Sequence, residues 1–321
     1  MAVGKTGLGA GIKVGKESTY GTAVTTTVSR PVRSVALQTN LVQQAVPDLY
    51  SGNSAVSRRH HKVETNSGGS VSMTAAYDAL GIFFEAAMGS SATSGGSDPY
   101  THTYTLANAL PSLTVDVVRG NSARGEKFEG VKINTLTMAS APGEAMTIDL
   151  DMIAETSQTR GTPATLSITE KPLILASNAG QFTFNSVSYD LLSFRVVLNN
   201  NLERRPTLGS LTTAEPIRAG ETTVSMEIEI ASVASPGEND TLLSAQLDDT
   251  NGDATITFTS GAVSNRSIAF TLHNAWIESA TDPISDAGLV TQSLTFRGES
   301  DGTDLGFKIV AINGNSSAIG N

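Results

Sequence analysis

The sequence predicts an all-β protein with a minor helical component, and three observations lead to that prediction. Apolar and polar residues alternate with a period of two in segment after segment, which is the pattern of half-buried strands. Charged residues make up only 16% of the chain, and Ser, Thr, Gly, Ala and Asn take their place. Short clusters of turn-forming residues separate the alternating segments.

The clearest strands are predicted from this alternation. In the segment 70–75, Val71, Met73 and Ala75 fall on one face and hydroxyl side chains on the other. The same pattern marks segments 112–117, 221–230 and 267–272. Segments 89–97, 140–143 and 249–253 are predicted to be turns because of their Gly, Pro, Asn, Asp and Ser content.

Only one segment has a persuasive helical pattern. Residues 76–88 bring Leu80, Phe83, Phe84 and Met88 onto one broad face. A weaker helical turn is predicted at 240–247, where Leu242, Leu243 and Leu247 form the apolar side. Each helix follows a predicted strand.

Composition excludes several classes of function. The net charge is −10, and the acidic excess lies in residues 166–321, which argues against nucleic-acid binding. The chain has no cysteine, so it has neither disulfides nor thiolate sites. No window approaches 18 apolar residues, and residues 1–27 lack the apolar stretch of a signal peptide.

The two halves of the sequence resemble one another. The segment 34–41 is similar to 193–202, and each is followed by a polar, Arg-bearing stretch, at 42–69 and at 203–220. Each stretch leads into a strand that contains Val-Ser-Met, and hairpins are predicted at 130–153 and 288–310. We therefore expect a tandem duplication, with one domain at 1–165, including an N-terminal arm, and a second at 166–321.

A short motif near the N-terminus suggests a family. Residues 15–22, Gly-Lys-Glu-Ser-Thr-Tyr-Gly-Thr, resemble the G-x-E-x-x-Y-G-T signature that opens many tail tube (major tail) proteins of long-tailed phages. The resemblance implies two tandem β-sandwich or small-barrel domains, each flanked by a short helix. It also implies a virion structural protein, assembled in the host cytoplasm, with no catalytic site and no cofactor.

The same resemblance implies the partners. Such proteins polymerise into stacked rings through which genomic DNA is ejected, and two tube domains in one chain favour a trimer with pseudo-sixfold symmetry over a hexamer. The other expected partners are the tape measure protein, the tail terminator and tip proteins, and double-stranded DNA that passes without specific binding. No membrane partner is expected.

Residues for these contacts are assigned partly from the resemblance and partly from charge. The N-terminal arm and the long loops predicted at 42–69 and 203–220 are assigned to ring stacking. The inter-subunit and ring-stacking candidates are Glu17, Tyr20, Gly21, Arg58, Arg59, His60, His61, Arg204 and Arg205. The acidic pairs Asp149 and Asp151, and Glu227 and Glu229, share strand faces and are candidates for the wall of the channel, where negative charge would reduce adhesion of DNA.

Other chemistries are weaker on the same residues. Gly15-Lys16 lacks the flanking residues of a phosphate loop, and adjacent His60 and His61 on an extended segment point apart and chelate poorly. The basic run 58–62 could contact DNA, although an acidic patch on another subunit is the favoured partner. The alternative function is a two-domain β-sandwich adhesin or receptor-binding virion protein, which predicts exposed aromatic clusters or calcium loops.

Overall fold

Strands dominate the computed structural model, which describes residues 7–45, 60–120, 125–157, 161–231, 238–281, 290–302 and 305–319. The helices are α1 (Gly81–Met88) and α2 (Glu238–Leu247). The strands of the first half are β1 (Gly11–Lys16), β2 (Val28–Pro31), β3 (Ser34–Val35), β4 (Gln38–Ala45), β5 (His60–Thr74), β6 (Gly89–Ser94), β7 (Tyr100–Leu106), β8 (Leu113–Val118), β9 (Gly125–Ser140), β10 (Thr147–Ala154) and β11 (Thr156–Ser157). Those of the second half are β12 (Phe182–Phe184), β13 (Val187–Tyr189), β14 (Leu191–Asn199), β15 (Leu202–Pro206), β16 (Thr213–Arg218), β17 (Thr223–Ala231), β18 (Gly252–Thr259), β19 (Ser267–Thr281), β20 (Thr291–Arg297) and β21 (Phe307–Asn313). The predicted all-β fold with a minor helical part is confirmed.

One antiparallel sheet runs through both halves of the chain, and we call it the long sheet. Over the described residues its order is β4–β5–β10–β9–β14–β17–β20–β19, with β3 preceding β4 along the same edge of β5. The two halves join where β9 pairs with β14. The long sheet is therefore continuous across the chain.

Two further sheets cover the apolar face of the long sheet. The first outer sheet has the order β2–β1–β8–β9–β11, and the second has the order β13–β12–β18–β19–β21–β7–β6. Phe194 of the long sheet lies 5.6 Å from Phe258 and 5.5 Å from Phe270 of the second outer sheet, measured between ring centroids. The buried side chains form a sandwich-like core between these layers.

The strand order of the long sheet is the same in the two halves. Each half contributes a quartet of strands to the long sheet: β4, β5, β9 and β10 in the first half, and β14, β17, β19 and β20 in the second. In each quartet the first and second strands are neighbours, and the fourth strand lies between the second and the third. Each half also has a hairpin that leads into its outer sheet, β1–β2 in one and β12–β13 in the other. A helix follows the second strand of each quartet.

The period-two pattern explains which face of the long sheet is buried. In β17, Val224, Met226, Ile228 and Ile230 are buried, while the residues between them are partly exposed. The opposite face carries Ser, Thr, Asn and charged side chains, and we call it the polar face. Strand β17 thus has one face in the core and one toward solvent.

Both β9 and β19 belong to two sheets, because each bends at a bulge. Residues 125–131 of β9 pair in the first outer sheet, and residues 132–140 pair in the long sheet. The bend has Gly130 at φ 61°, and the bend of β19 has Asn274 at φ 46°. A left-handed residue in a bulge turns the strand from one layer to the other.

Helix α1 is shorter and more buried than the sequence predicted. It begins at Gly81 instead of residue 76, and all eight of its residues are buried. Phe84 packs against Tyr104 of β7 with ring centroids 5.4 Å apart, and a Cβ on Gly81 would lie 1.9 Å from the carbonyl oxygen of Ala318. Cover from β7 and the C-terminal segment makes every side of the helix a core side.

Three sequence-based expectations about loops were wrong. Segment 89–97, expected to be a turn, contains β6, which pairs with β7. Segment 288–310, expected to be a hairpin, contains β20 and β21, which pair with different stretches of β19 because β19 bends. The stretches 42–69 and 203–220, expected to be loops, contain parts of the strand pairs β4–β5 and β15–β16.

The boundary proposed near residue 165 falls in a stretch without regular structure, at residues 163–172. Among the strands that the structure describes, pairs cross it at two places, β9 with β14 and β7 with β21. The division into domains 1–165 and 166–321 stays a prediction.

Candidate assembly interface

The two ends of the long sheet are its outer strands. On the described residues, β4 pairs with β5 on one side, and residues 276–281 of β19 pair with β20 on one side. The other side of each strand presents its backbone N–H and C=O groups outward. These two open edges can accept a strand from another chain.

The edge strand β4 lacks the usual protection against such pairing. Natural edge strands are commonly blunted by Lys, Pro or inward charges. β4 reads Gln-Thr-Asn-Leu-Val-Gln-Gln-Ala, with none of these. Leu41 is 53% exposed and Val42 is 38% exposed, which leaves apolar surface along the open edge.

The polar face collects the four acidic candidates on one surface. Asp149 and Asp151 of β10 are exposed, and Glu227 and Glu229 of β17 are partly exposed. Arg195 donates to both carboxylate oxygens of Glu227, at 2.8 and 2.9 Å. Asp149 and Asp151 lie on the same face as Glu227 and Glu229. The reason is that β10 and β17 belong to one sheet and all four carboxylates point away from its buried face.

The glutamate of the motif lies inside the protein. Glu17 is 5% exposed, and its carboxylate accepts four hydrogen bonds, from Ser112 Oγ (2.7 Å), Thr114 Oγ1 (2.8 Å) and the backbone N–H groups of Gly130 (3.0 Å) and Gly21 (3.1 Å). Thr114 belongs to strand β8, Ser112 directly precedes that strand, and Gly130 lies at the bend of β9. The carboxylate therefore fixes the N-terminal loop to the place where β9 changes sheets.

Tyr20 and Gly21 complete this buried corner. Burial, followed by the nearby carboxylates of Glu155, Glu215 and Glu17, raises the pKa of the Tyr20 phenol. Gly21 has φ 70°, and a Cβ there would lie 1.9 Å from Glu155 Oε2. The motif explains local folding, and its assignment to an inter-subunit contact stays a prediction.

The two arginines of β15 differ. Arg204 donates from Nη2 to the carbonyl of Ser67 and from Nη1 to the carbonyl of Ala154 (3.3 Å), so it ties the β15–β16 hairpin to the first half. Burial lowers the pKa of Arg204, and the Glu64 carboxylate opposes that shift. Arg205 is exposed. Its side chain is therefore accessible to another molecule.

The basic run is only partly described. His60 and His61 are exposed at the start of β5, opposite Ala45 and Gln44. Arg58 and Arg59 lie outside the described residues. Within the described part of the chain, no three His, Cys, Asp or Glu side chains are grouped so that they could hold a metal ion.

The open end of β19 was not singled out from the sequence. Alternation is the same in an edge strand as in a central strand, so it does not reveal which strands lack a neighbour. The one available signal was the apolar pair Leu41 and Val42, which lies where segment 34–41 meets the polar stretch 42–69. None of the described helices is long and apolar enough to cross a membrane.

Comparison with known proteins identifies a family. A family model described as phage tail tube protein matches residues 7–298. No curated protein matches the chain. The match spans both halves, and it includes the N-terminal motif, the polar face and both open edges. The chain therefore belongs to the phage tail tube protein family, a family of structural proteins that self-assemble into the tube of the virion tail.

Proposed function

We propose that this protein forms rings of three copies, which stack into the tube through which double-stranded DNA leaves the virion. One observation carries the proposal. The long sheet runs unbroken through both halves and ends in an open edge on each side. A contact between one edge and the opposite edge of the next copy is heterologous, and such contacts close into rings when the rotation allows.

The number three follows from the repetition of strand order. We infer that the halves are a tandem duplication, so one chain supplies two of six similar units. Three copies of an eight-stranded sheet would make a twenty-four-stranded barrel. With strands about 4.8 Å apart and tilted by roughly 40°, its backbone diameter would be about 50 Å. That width leaves a channel for duplex DNA after the inner side chains are added.

The polar face is proposed to line the channel. The apolar face is already covered by the outer sheets, so the polar face is the one left to face the inside of a closed barrel. Asp149, Asp151, Glu227 and Glu229 would make that wall acidic, with Glu227 offset by Arg195. Negative charge on the wall disfavours phosphate contacts and lets DNA slide past.

Ring stacking is assigned to surfaces outside the long sheet. We propose that the N-terminal arm, the basic run 58–62 and the β15–β16 hairpin with Arg205 meet the adjacent ring. The tape measure protein inside the tube, and the terminator and tip proteins at its ends, are the further partners that this role requires. Their contacts would use the same channel wall and the same ring faces.

The test is negative-stain electron microscopy of the purified protein at rising concentration, with rotational averaging of end-on views. We expect hollow rings or tubes with a channel wide enough for duplex DNA. A protein that stays monomeric at every concentration, even with a tail-tip initiator present, would contradict the proposal.

A further inference from the structure

The junction between the halves is a strand pair whose register is known. In the β9–β14 pair, Thr135 lies opposite Asn199 and Thr137 lies opposite Val197. The pair continues beyond the strand, where the N–H of Asn200 donates to the carbonyl of Asn134 at 2.8 Å. We call this pair the internal seam. It shows how the sheet edge of the first half joins the sheet edge of the second half.

The open end of β19 repeats the geometry of β9. Against β10, β9 has one extra residue, Asn134, between Ile133 and Thr135. Against β20, β19 has one extra residue, Glu278, between Ile277 and Ser279. Four residues before each of these bulges stands a left-handed residue, Gly130 in β9 and Asn274 in β19. The left-handed residue and the bulge have the same spacing in both strands, so the two strands can be aligned on them. In this alignment Ser279 corresponds to Thr135, and Thr281 corresponds to Thr137.

The open strand β4 repeats the geometry of β14. In the first half, Thr135 lies opposite Asp151, which lies opposite Ser70. In the second half, Ser279 lies opposite Thr295, which lies opposite Glu227. Ser70 and Glu227 therefore hold equivalent positions.

The last step reaches the edge. Two residues from Ser70, Gly68 lies opposite Gln38, and two residues from Glu227, Ser225 lies opposite Val197. Gln38 thus holds the position of Val197. Asn40 holds that of Asn199, by two further residues along the strand.

Both free edges are therefore counterparts of the two edges joined in the internal seam. Resting on the proposed tube function, we propose that β4 of one copy pairs antiparallel with the end of β19 of the next copy in the register of the internal seam. Asn40 then lies opposite Ser279 and Gln38 lies opposite Thr281. The N–H of Leu41 donates to the carbonyl of Glu278, as Asn200 donates to Asn134 inside the chain.

The chemistry of the two edges fits this contact. Asn40, Ser279 and Thr281 are exposed in the single chain and carry small polar side chains that tolerate a close neighbour. Leu41 and Val42, exposed in the single chain, would be covered by the next copy. Glu278 is held by Arg297 with Nε 3.0 Å from Oε2, so its charge is compensated on its own chain.

Paired cysteine substitutions test the register, because the chain has no cysteine of its own. Asn40→Cys with Ser279→Cys is assembled into tubes under reducing conditions, imaged, and then oxidised. Directly opposite residues lie about 4.5–5.5 Å apart, within the range of a disulfide. We expect covalent dimers and trimers on non-reducing gels, and no larger species, because the third bond closes the ring.

Two matched variants control the experiment. Thr135→Cys with Asn199→Cys carries the equivalent pair inside the chain, and it should lose its free thiols while staying monomeric on the gel. Asn40→Cys with Thr281→Cys is shifted by two residues, so its Cα atoms lie about 7–8 Å apart and crosslink at least tenfold less.

Each outcome separates the register from the tube. If tubes form and the internal pair oxidises while the Asn40–Ser279 pair does not, or the shifted pair crosslinks better, the register is wrong although the tube stands. A covalent ladder beyond three copies overturns closure by three. If the double variant does not assemble, mixed tubes of the two single variants with wild type are oxidised, and absence of covalent dimers there also overturns the register. Failure of the wild type to form any ring instead contradicts the proposed function.

Discussion

The two bends of the molecule solve the same problem with different residues. In the first half the N–H of left-handed Gly130 donates to the buried carboxylate of Glu17, 3.0 Å away. In the second half the N–H of left-handed Asn274 donates to the exposed carboxylate of Asp253, 3.3 Å away. Both carboxylates hold a strand where it passes from an outer sheet to the long sheet.

The difference lies in where the carboxylate comes from and how deeply it is buried. Glu17 comes from the long loop between β1 and β2, whereas the corresponding connection between β12 and β13 is the two-residue turn of Asn185 and Ser186, both with positive φ. The N-terminal motif therefore has no counterpart in the second half. Its glutamate is a fold determinant of the first bend, which explains why the signature occurs once in a chain with two similar halves.

The largest expected effect is that of Glu17→Ala. It leaves two hydroxyls and two backbone N–H groups without their acceptor in a buried corner, so the free energy of unfolding should fall by about 3 kcal/mol or more. Urea unfolding followed by circular dichroism measures the change. A loss as small as that of an exposed carboxylate would show that the motif serves assembly in preference to folding.

Gly130→Ala should cost about 2 kcal/mol, which ranks second. An alanine is strained at φ 61°, and its Cβ would lie 2.9 Å from Glu155 Cβ and 3.0 Å from Tyr20 Cζ. The matched variant is Asn274→Gly at the other bend, which should change stability by less than about 0.5 kcal/mol. Equal effects at the two sites would remove the distinction between the bends.

Glu155→Gln should sharpen the comparison through pH. Burial, then the carboxylates of Glu17 and Glu129, raises the pKa of Glu155. The folded state then holds this proton more tightly than the unfolded state, so the contribution is present at low pH and is lost as pH rises through the raised pKa. Glu155→Gln removes that loss and stabilises the protein at neutral pH, by less than about 1 kcal/mol because the carboxylate is only half-buried.

The measurement is the unfolding midpoint of wild type and Glu155→Gln between pH 4 and pH 7, in steps. The advantage of the variant should grow as the pH rises. An advantage that is constant with pH, or that shrinks as pH rises, would contradict the assigned shift.

Asp253→Asn is expected to have the smallest effect, below about 0.5 kcal/mol, because the carboxylate is mostly in solvent and the amide oxygen can still accept from Asn274. Thermal unfolding of this variant beside Glu17→Ala gives the comparison directly. If Asp253→Asn destabilises as much as Glu17→Ala, burial does not set the difference between the bends.

The period-two pattern predicted the strands well and most of their faces. Strand β8 is the exception, because Thr114 and Asp116 on its polar side are buried as well. The sequence comparison also aligned segment 34–41 with segment 193–202 in a register that the strand pairings support. Ser34 lies opposite Ser72 and Ser193 lies opposite Glu229, and Ser72 and Glu229 hold equivalent positions in the two halves. The shared Val-Ser-Met was misleading about register. Val71 lies opposite Leu150 and Ile228 lies opposite Leu294, and Leu150 and Leu294 hold equivalent positions in the two halves. Val71 therefore corresponds to Ile228 and not to Val224.

Register and edges were beyond the sequence for a physical reason. A shift by an even number of residues keeps every side chain on its face, so alternation alone cannot detect an error of four residues. The bulges at Asn134 and Glu278, and the sharing of β19 between sheets, depend on partners far away in the chain. The open edges became visible only when every pairing was known.

The number of chains per ring tests the central claim most directly. The mass per length of assembled tubes, measured by scanning transmission electron microscopy, is combined with the ring spacing from the same images. We predict three copies of a 33.3 kDa chain in each ring, about 100 kDa. Six copies per ring would contradict the account, because the two halves of one chain would then not supply two of six units.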